Sequence, residues 1–390
     1  MTYRVAIVGA GPSGFYAADG LLRAGLDLHL DLIDRLPTPF GLVRAGVAPD
    51  HQGTKAVARQ FDKILAHEDV RFCGNVDVGQ DISWDELREH YDAVIVATGR
   101  TIDRKLGVPG EDSPHVWGPL VWGSWRFVAW LNGHPDFRVG PDLSRVRKVA
   151  VIGNGNVALD VARVLAKSAE EMSKSDIVPE AGAAIAAAPL TGIHVIGRRG
   201  PEHASFTNNE LAEMGRLARA VAVTDAADLN VTPPASDSTP EKLRKGKNLE
   251  ILKGFAANRP GSKPITVHFE FNKPMKAIAP DAFDLAITCI GYDGEPFPAG
   301  DGIFAVGWAK RGPTGTIPTN RADSHAAAQQ VVAWLKERDP KSGTDIIPEC
   351  VDAAGWHRID KEEVAAGAKT GRPRVKLTDR NRLLAVAQGD

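Results

Sequence analysis

Apolar residues gather into short runs separated by Gly- and Pro-rich breaks, a pattern expected of buried parallel strands alternating with helices. "YRVAIVG" (3–9) predicts a buried strand, residues 12–24 a helix, and "LHLDLID" (28–34) a second strand, together a βαβ unit. "RLPTPFGLVRAGVAPDHQG" (35–53) is too rich in Pro and Gly for a regular element. A helix is expected at 54–66, and "YDAVIVATG" (91–99) is another buried strand, ending in Gly99.

A Pro-, Gly- and Trp-rich passage (107–125) predicts a crossing between domains, and the pattern then restarts. "KVAVIG", after Arg147, opens a second βαβ unit whose next strand is "IHVIGRR" (193–199). Between them lie a longer helix and an Ala-rich insertion. Residues 226–248, rich in polar residues, Pro and Lys, are expected to form a surface loop. "PITVHFEF" (264–271) alternates like a strand with one wet face, and "FDLAITCIG" (283–291) echoes "YDAVIVATG". "GIFAVGWA" (302–309) reads as one more strand, and "PTGTIPTNRADSHAAAQQVVAWL" (313–335) opens a helix. The C-terminal stretch carries mixed charge and no clear site. The expected fold class is α/β, with two Rossmann-type, three-layer dinucleotide-binding domains.

Composition narrows this picture mainly by exclusion. A chain of 390 residues has material for two or three domains. Its formal net charge of −2 argues against a global attraction to nucleic acid or anionic lipid. No apolar run approaches the roughly 20 residues that span a bilayer. The chain enters its first strand at Tyr3 without a basic-then-apolar leader, so a cytoplasmic location is expected. Cys73, Cys289 and Cys350 are far apart and form no CxxC, so neither a metal site nor a redox dithiol is expected, only inert thiols.

The candidate chemistry lies in two loops. Gly9-Ala10-Gly11-Pro12-Ser13-Gly14 is a GxGxxG between strand and helix, and Asp34 stands at the end of the second strand, where a ribose hydroxyl would be gripped. The glycines allow the tight turn, the approach of a pyrophosphate and close helix–strand packing; the helix N-terminus supplies amide hydrogens. The second loop, Gly153-Asn154-Gly155-Asn156-Val157-Ala158, is a GxGxxA, and its second strand ends in Arg198-Arg199 where the first has an acid. A carboxylate there would repel a 2′-phosphate, whereas a guanidinium pairs with it, so the second site is expected to hold NADP(H). The first loop would then hold FAD. "GWAKRGPTGTIPTN" is the candidate second contact for its ring, through Trp308 and the amides of Gly315, Thr316 and Ile317.

The stretches "GPSGFYAADGLL", "PTPFGLVRAGVAPDH", "FCGNVDVG", "VIGNGNVALDVARVL", "VIGRRGP" with "FTNNEL", and "GWAKRGPTGTIPTN" resemble, over nearly the whole chain, the adrenodoxin-reductase-like ferredoxin–NADP⁺ reductases. The resemblance implies FAD contacts at Ser13, Asp34, Leu42 and Val78 and NADP contacts at Asn154 to Val157, Arg198, Arg199 and Glu210. It implies flavin contacts at Trp308 and Gly315 to Ile317, and a His51–Glu213 pair close to the nicotinamide. It implies hydride passage from NADPH to FAD and single-electron release to a ferredoxin-type iron–sulfur carrier, with a cytochrome P450 among the sinks such a chain can feed. The FAD domain would be discontinuous (1–103 and 294–390) and the NADP domain would span 104–293. Two features depart from the family: Asp34 stands where Glu is common, and 272–304 is short. The alternatives are an NADPH oxidase or diaphorase, and a non-catalytic flavoprotein that senses NADPH. A basic stretch at 241–248 and the arginines near 138–148 are candidate docking points for an acidic carrier.

Overall fold

A computed structural model describes residues 2–390 except 113, 116–117 and 280–281. Residues 113, 116 and 117 of the predicted crossing therefore lie outside the described residues.

Two parallel sheets organise the chain. The first has the order Ile303–Ala305, Ala93–Val96, Tyr3–Val8, Leu28–Asp34, Val70–Gly74. The helices Pro12–Leu22 and Ile317–Lys336 pack so closely on each other that a Cβ on Gly20 would stand 2.8 Å from Ala328 Cβ. Near this contact Asp19 Oδ2 meets His325 Nε2 at 3.0 Å. The second sheet has the order Ala220–Thr224, Ile265–Glu270, Gly192–Ile196, Lys148–Ile152, Leu285–Thr288, Val121–Gly123. In both, the glycine-rich loop follows a central strand at its C-terminal end, where ligands of open α/β sheets bind. Residues 102–103 and 292–293 pair antiparallel where the chain leaves the first unit and returns to it.

Several expectations need correction. The surface loop expected at 226–248 ends at Ser238: Thr239–Ala256 is an 18-residue helix, capped by a reciprocal Ser238–Glu241 box. "PITVHFEF" forms the expected strand, Ile265–Glu270, but it lies between two neighbours and its wetter face is only half-exposed, at His268 and Glu270. The strand expected at 302–309 stops at Ala305, and Gly307–Arg311 turns into a short helix. The segment 35–53 contains helical turns at Leu42–Ala45 and Gln52–Lys55.

That irregular segment joins the two units. Lys55 Nζ donates to Asp176 at 2.8 and 2.9 Å and to Asn132 Oδ1 at 2.6 Å. Lys376 Nζ meets the same Asp176 at 3.0 Å and the same Asn132 oxygen at 2.9 Å. Arg44 forms a bidentate pair with the wholly buried Glu363. The C-terminal stretch, silent in the sequence, thus closes the joint.

His134 follows the helix Ser124–Leu131 and is buried against Trp125 and Phe137, with ring centroids at 5.7 and 5.2 Å. Its Nδ1 accepts from the Asp136 amide at 3.2 Å, which requires that nitrogen to be unprotonated. Burial, reinforced by nearby arginines, pushes its pKa down to about 4. Below the ordinary imidazole pKa the unfolded chain takes up a proton that the folded chain refuses. Stability is therefore lost as pH falls from about 6.5 toward 4, by about 2–3 kcal/mol at most. Melting curves of wild type and His134→Asn are expected to converge over that window; a pH-independent gap would show that the imidazole is accommodated when charged.

Candidate dinucleotide sites and the His51 cluster

The first loop is built by collision avoidance. Gly9 has φ +110°, and a Cβ there would lie 2.5 Å from the Ala97 carbonyl oxygen. A Cβ on Gly14 would lie 2.1 Å from the Gly9 oxygen, so the helix can start directly on the strand end. The amides of Gly11, Ser13 and Gly14 donate to no protein group among the described residues, while Phe15 N already bonds Gly11 O at 3.1 Å. Over this loop lies the turn Phe40–Gly41: Phe40 N donates to Ala10 O at 2.7 Å, and Phe40 itself holds φ 82°. Unpaired amides at a helix N-terminus, with glycine backbone on the open side, fit a pyrophosphate.

Asp34 serves the loop as well as facing it. Its Oδ2 accepts from Ala10 N at 2.8 Å and its Oδ1 from Leu36 N at 2.9 Å. Burial nonetheless pushes its pKa up. Each oxygen retains lone-pair capacity for a ribose hydroxyl. Val76 N bonds Asp34 O at 3.0 Å, which places the turn carrying Val78 beside the same strand end. Ser13 touches the distant segment: a Cβ on Gly307 would stand 2.0 Å from Ser13 Oγ. Next to Gly307, Trp308 stacks near Tyr292 with centroids at 6.1 Å and packs with Leu42, Ala45 and Trp125. Its Nε1 donates to Thr314 O at 3.1 Å, and Arg100 Nε donates to Trp308 O at 2.9 Å. Of the three amides expected to face a ring, Thr316 N is taken by Thr319 Oγ1 at 2.6 Å. Those of Gly315 and Ile317 have no protein partner among the described residues.

The second loop repeats the first. Gly153 has φ +146°, and a Cβ there would lie 2.3 Å from Cys289 O. The amides of Gly155, Asn156 and Val157 are unpaired among the described residues, and Asn154 Oδ1 is buried without a partner. Asn156 Oδ1 accepts from Thr207 N at 2.8 Å, tying the loop to the segment that starts the helix Asn208–Glu213. Arg198 and Arg199 are exposed at the end of Gly192–Ile196, and no ion pair or side-chain hydrogen bond engages either among the described residues.

Between the loops, His51 sits in an acidic cage. Its Nδ1 is 3.8 Å from Asp160, and its Nε2 is 3.5 Å from Glu210 and 3.6 Å from Glu213. None of these is a hydrogen bond, and Nε2 is buried without a partner. Arg163, absent from the sequence expectations, compensates the cage. Its Nε and Nη2 donate to Asp50 at 2.9 and 3.0 Å, and its Nη1 donates to Asp160 at 2.8 Å and Glu210 at 2.9 Å. Lys167 adds a second cation on Asp50 at 2.6 Å. Burial alone would raise Asp50, but the hydrogen bonds and charges of Arg163 and Lys167 outweigh it and hold the group well below the usual carboxylate range. Asp160 and Glu210 move the other way, both raised by burial, Glu210 also by Asp160 beside it. The signal that could have exposed Arg163 was an Asp–Arg pair three residues apart on the apolar helix "NVALDVARVLA".

In the basic stretch at 241–248, Lys242 and Lys247 are exposed, while most of the cations are engaged within the fold. Arg244 donates to Phe206 O, Lys245 pairs with Asp237 at 2.7 Å, and Lys242 donates to Ala235 O at 2.7 Å.

A flavin- and pyridine-nucleotide-type fold is what two such cradles on two parallel sheets of one chain define. The sequence profile of the pyridine nucleotide-disulphide oxidoreductases matches residues 3–188. NADPH-ferredoxin reductase FprA of Mycobacterium tuberculosis is 36% identical, with 99% of each chain covered. The mitochondrial NADPH:adrenodoxin oxidoreductase of Arabidopsis thaliana is 32% identical, with 98% of this chain and 95% of the relative covered. A solved structure of M. tuberculosis FprA in complex with NADPH superimposes with a TM-score of 0.89 at 34% identity, covering all of both chains. The chain belongs to this family of NADPH-dependent ferredoxin and adrenodoxin reductases. The FprA alignment runs over 469 positions against 390 residues here, so that relative carries segments this chain lacks.

Proposed function

We propose that this protein is a cytoplasmic flavoprotein reductase that draws a hydride from NADPH and delivers single electrons to a ferredoxin-type iron–sulfur protein. The observation that carries this reading is the pair of glycine cradles with unpaired amides in one chain, the second flanked by the unpaired Arg198 and Arg199. When bound, FAD supplies the conversion between two-electron and one-electron chemistry. The amides of Gly11, Ser13 and Gly14 bind its pyrophosphate, and Asp34 accepts from its ribose. Leu42, Val78, Trp308, Gly315, Thr316 and Ile317 shape the rest of its seat. Gly155, Asn156 and Val157 bind the second pyrophosphate, Asn154 lies at the mouth of that loop, and the two arginines hold the 2′-phosphate. His51, whose Nε2 has no hydrogen-bond partner, orients the nicotinamide amide from among Asp160, Glu210 and Glu213. The FAD unit comprises 1–103 and 294–390, and the NADP unit 104–293, a division supported by which strands share a sheet. Candidate docking points for an acidic carrier are the arginines near 138–148, of which Arg138 already pairs with Asp379 at 2.5 Å, and the exposed Lys242 and Lys247 of 241–248.

Anaerobic mixing of the FAD-loaded protein with NADPH is expected to bleach the flavin within the turnover time, and the bleached protein is expected to reduce an added iron–sulfur protein. No bleaching would favour the NADPH-sensing alternative, and electrons passing only to oxygen would favour the oxidase. His51→Ala is expected to slow the bleaching by about 10- to 1,000-fold, the range of one positioned acid–base group or less, with FAD content unchanged. Loss of FAD from that variant would make His51 a packing residue.

A further inference from the structure

Two cysteines expected to be inert and apart are brought together by the fold. Cys73 lies in the edge strand Val70–Gly74 and is wholly buried. Cys350 comes from the segment that leads into the helix Ala353–Ala368. Gly74 and Val351 exchange both backbone hydrogen bonds at 2.8 Å, an antiparallel bridge that puts their preceding residues on one face as diagonal neighbours. Cys73 and Cys350 share a small apolar cluster with Ile33, Val76 and Ile82. The two thiols interact directly within this cluster, and the neighbouring Cys350 sulfur is the main reason the Cys73 thiol is pushed up.

We propose that Cys350 and Cys73 form a peroxide-reactive thiol pair, in which Cys350 is oxidised first and Cys73 closes a disulfide on it. The two thiols are not equivalent. Cys350 is half-buried and lines an open cleft of about 380 Å³ with Asn75, Asp352 and Arg358, wide enough for a small hydroperoxide, whereas Cys73 has no exposed surface. The Cys73 thiol donates toward Cys350, and the Arg71 guanidinium lies nearby; together they pull the Cys350 thiol below its ordinary pKa, against burial and the charges of Asp352 and Asp31. Cys73 is pushed up by the same contact and by burial. A thiolate with access attacks, and a buried neighbour resolves.

The step balances with hydrogen peroxide as oxidant. The Cys350 sulfur attacks one peroxide oxygen, the O–O bond breaks, and water leaves, giving a sulfenic acid. The Cys73 sulfur then attacks the Cys350 sulfur, the S–OH bond breaks, and a second water leaves with the Cys73 proton. Two thiols are oxidised by two electrons in all, and one peroxide is reduced. Cys289 provides an internal control: burial pushes its thiol up, and no second cysteine approaches it.

The test treats the FAD-loaded protein with hydrogen peroxide and maps its peptides without reduction. The expected result is a cross-linked peptide joining Cys73 to Cys350, with titratable thiols falling from three to one and Cys289 remaining free. Dithiothreitol should restore all three. Cys73→Ser should leave a sulfenic acid on Cys350 that a dimedone probe traps, and Cys350→Ser should leave Cys73 unoxidised. Retention of all three thiols, a cross-link that forms only in denaturant, or oxidation of Cys350 beyond sulfenic acid in wild type without a cross-link would each overturn the proposal.

Discussion

NADPH is expected to bind about 10- to 100-fold more weakly when Arg198 or Arg199 becomes alanine, while NADH changes little. A hydrogen bond to a charged group is worth roughly 1.5–3 kcal/mol, and each 1.4 kcal/mol is about tenfold in affinity. The glycines of the second loop serve both nucleotides alike, so only a group placed at the 2′-phosphate can tell them apart. Both arginines stand at the end of Gly192–Ile196 and are exposed, without an ion pair among the described residues. Their removal therefore leaves no buried charge behind and should not disturb folding. The loss should fall on KM with kcat nearly kept, because the phosphate is remote from the reacting carbon and held alike in ground and transition states. Asp34→Ala is the control. It removes the acceptor of the Ala10 and Leu36 amides and should weaken FAD retention without changing the NADPH-to-NADH ratio. A double arginine variant that still prefers NADPH would require another group to read the 2′-phosphate.

The two cradles are legible in the sequence because their physics is local. A strand ending in glycine, a turn only glycine can make and an apolar helix start occupy consecutive residues, and both loops lie where that pattern puts them. The helix Thr239–Ala256 is misread for a different reason. Its first ten residues are half charged and carry a single Leu, the apolar stripe of Leu249, Leu252 and Phe255 begins only after the stretch read as a loop, and the Ser238–Glu241 capping box alone marks its start. Long-range convergence is the least legible. Asp50 and His51 stand next to each other in a motif whose length has no local explanation. The explanation is tertiary: the segment leaves the first loop at Phe40, crosses to the second unit, and delivers Asp50 to Arg163 and Lys55 to Asp176. Likewise Cys73 and Cys350 meet only because a C-terminal segment caps the edge strand at Gly74.

Arg163→Met is expected to destabilise the protein by about 3–5 kcal/mol at neutral pH, the usual cost of removing one partner from a buried ionic group. Methionine fills much of the same volume, so the loss is mainly electrostatic. Arg163 has no exposed side-chain surface and bridges Asp50, Asp160 and Glu210, with Glu213 at 3.5 Å. Without it, the three carboxylates around His51 and the neighbouring Asp50 lose their shared cation, and Lys167 is the one lysine that pairs with any of the four among the described residues. Arg163→Lys keeps the charge but cannot fork toward three carboxylates at once, so it should recover only part of the loss. The pH dependence gives the decisive sign. In wild type the Asp50 carboxyl is held far below its unfolded value, a contribution present above the ordinary carboxylate pKa and lost as pH falls through the acid range. In the variant the same carboxyls resist ionisation, so their protonation relieves the folded state. The stability gap between wild type and Arg163→Met should therefore be widest near pH 7 and shrink as pH falls toward about 4. Urea unfolding at several pH values measures it. A gap that stays constant down to that pH would assign the loss to packing and remove Arg163 as the charge that lets the acidic cage around His51 exist.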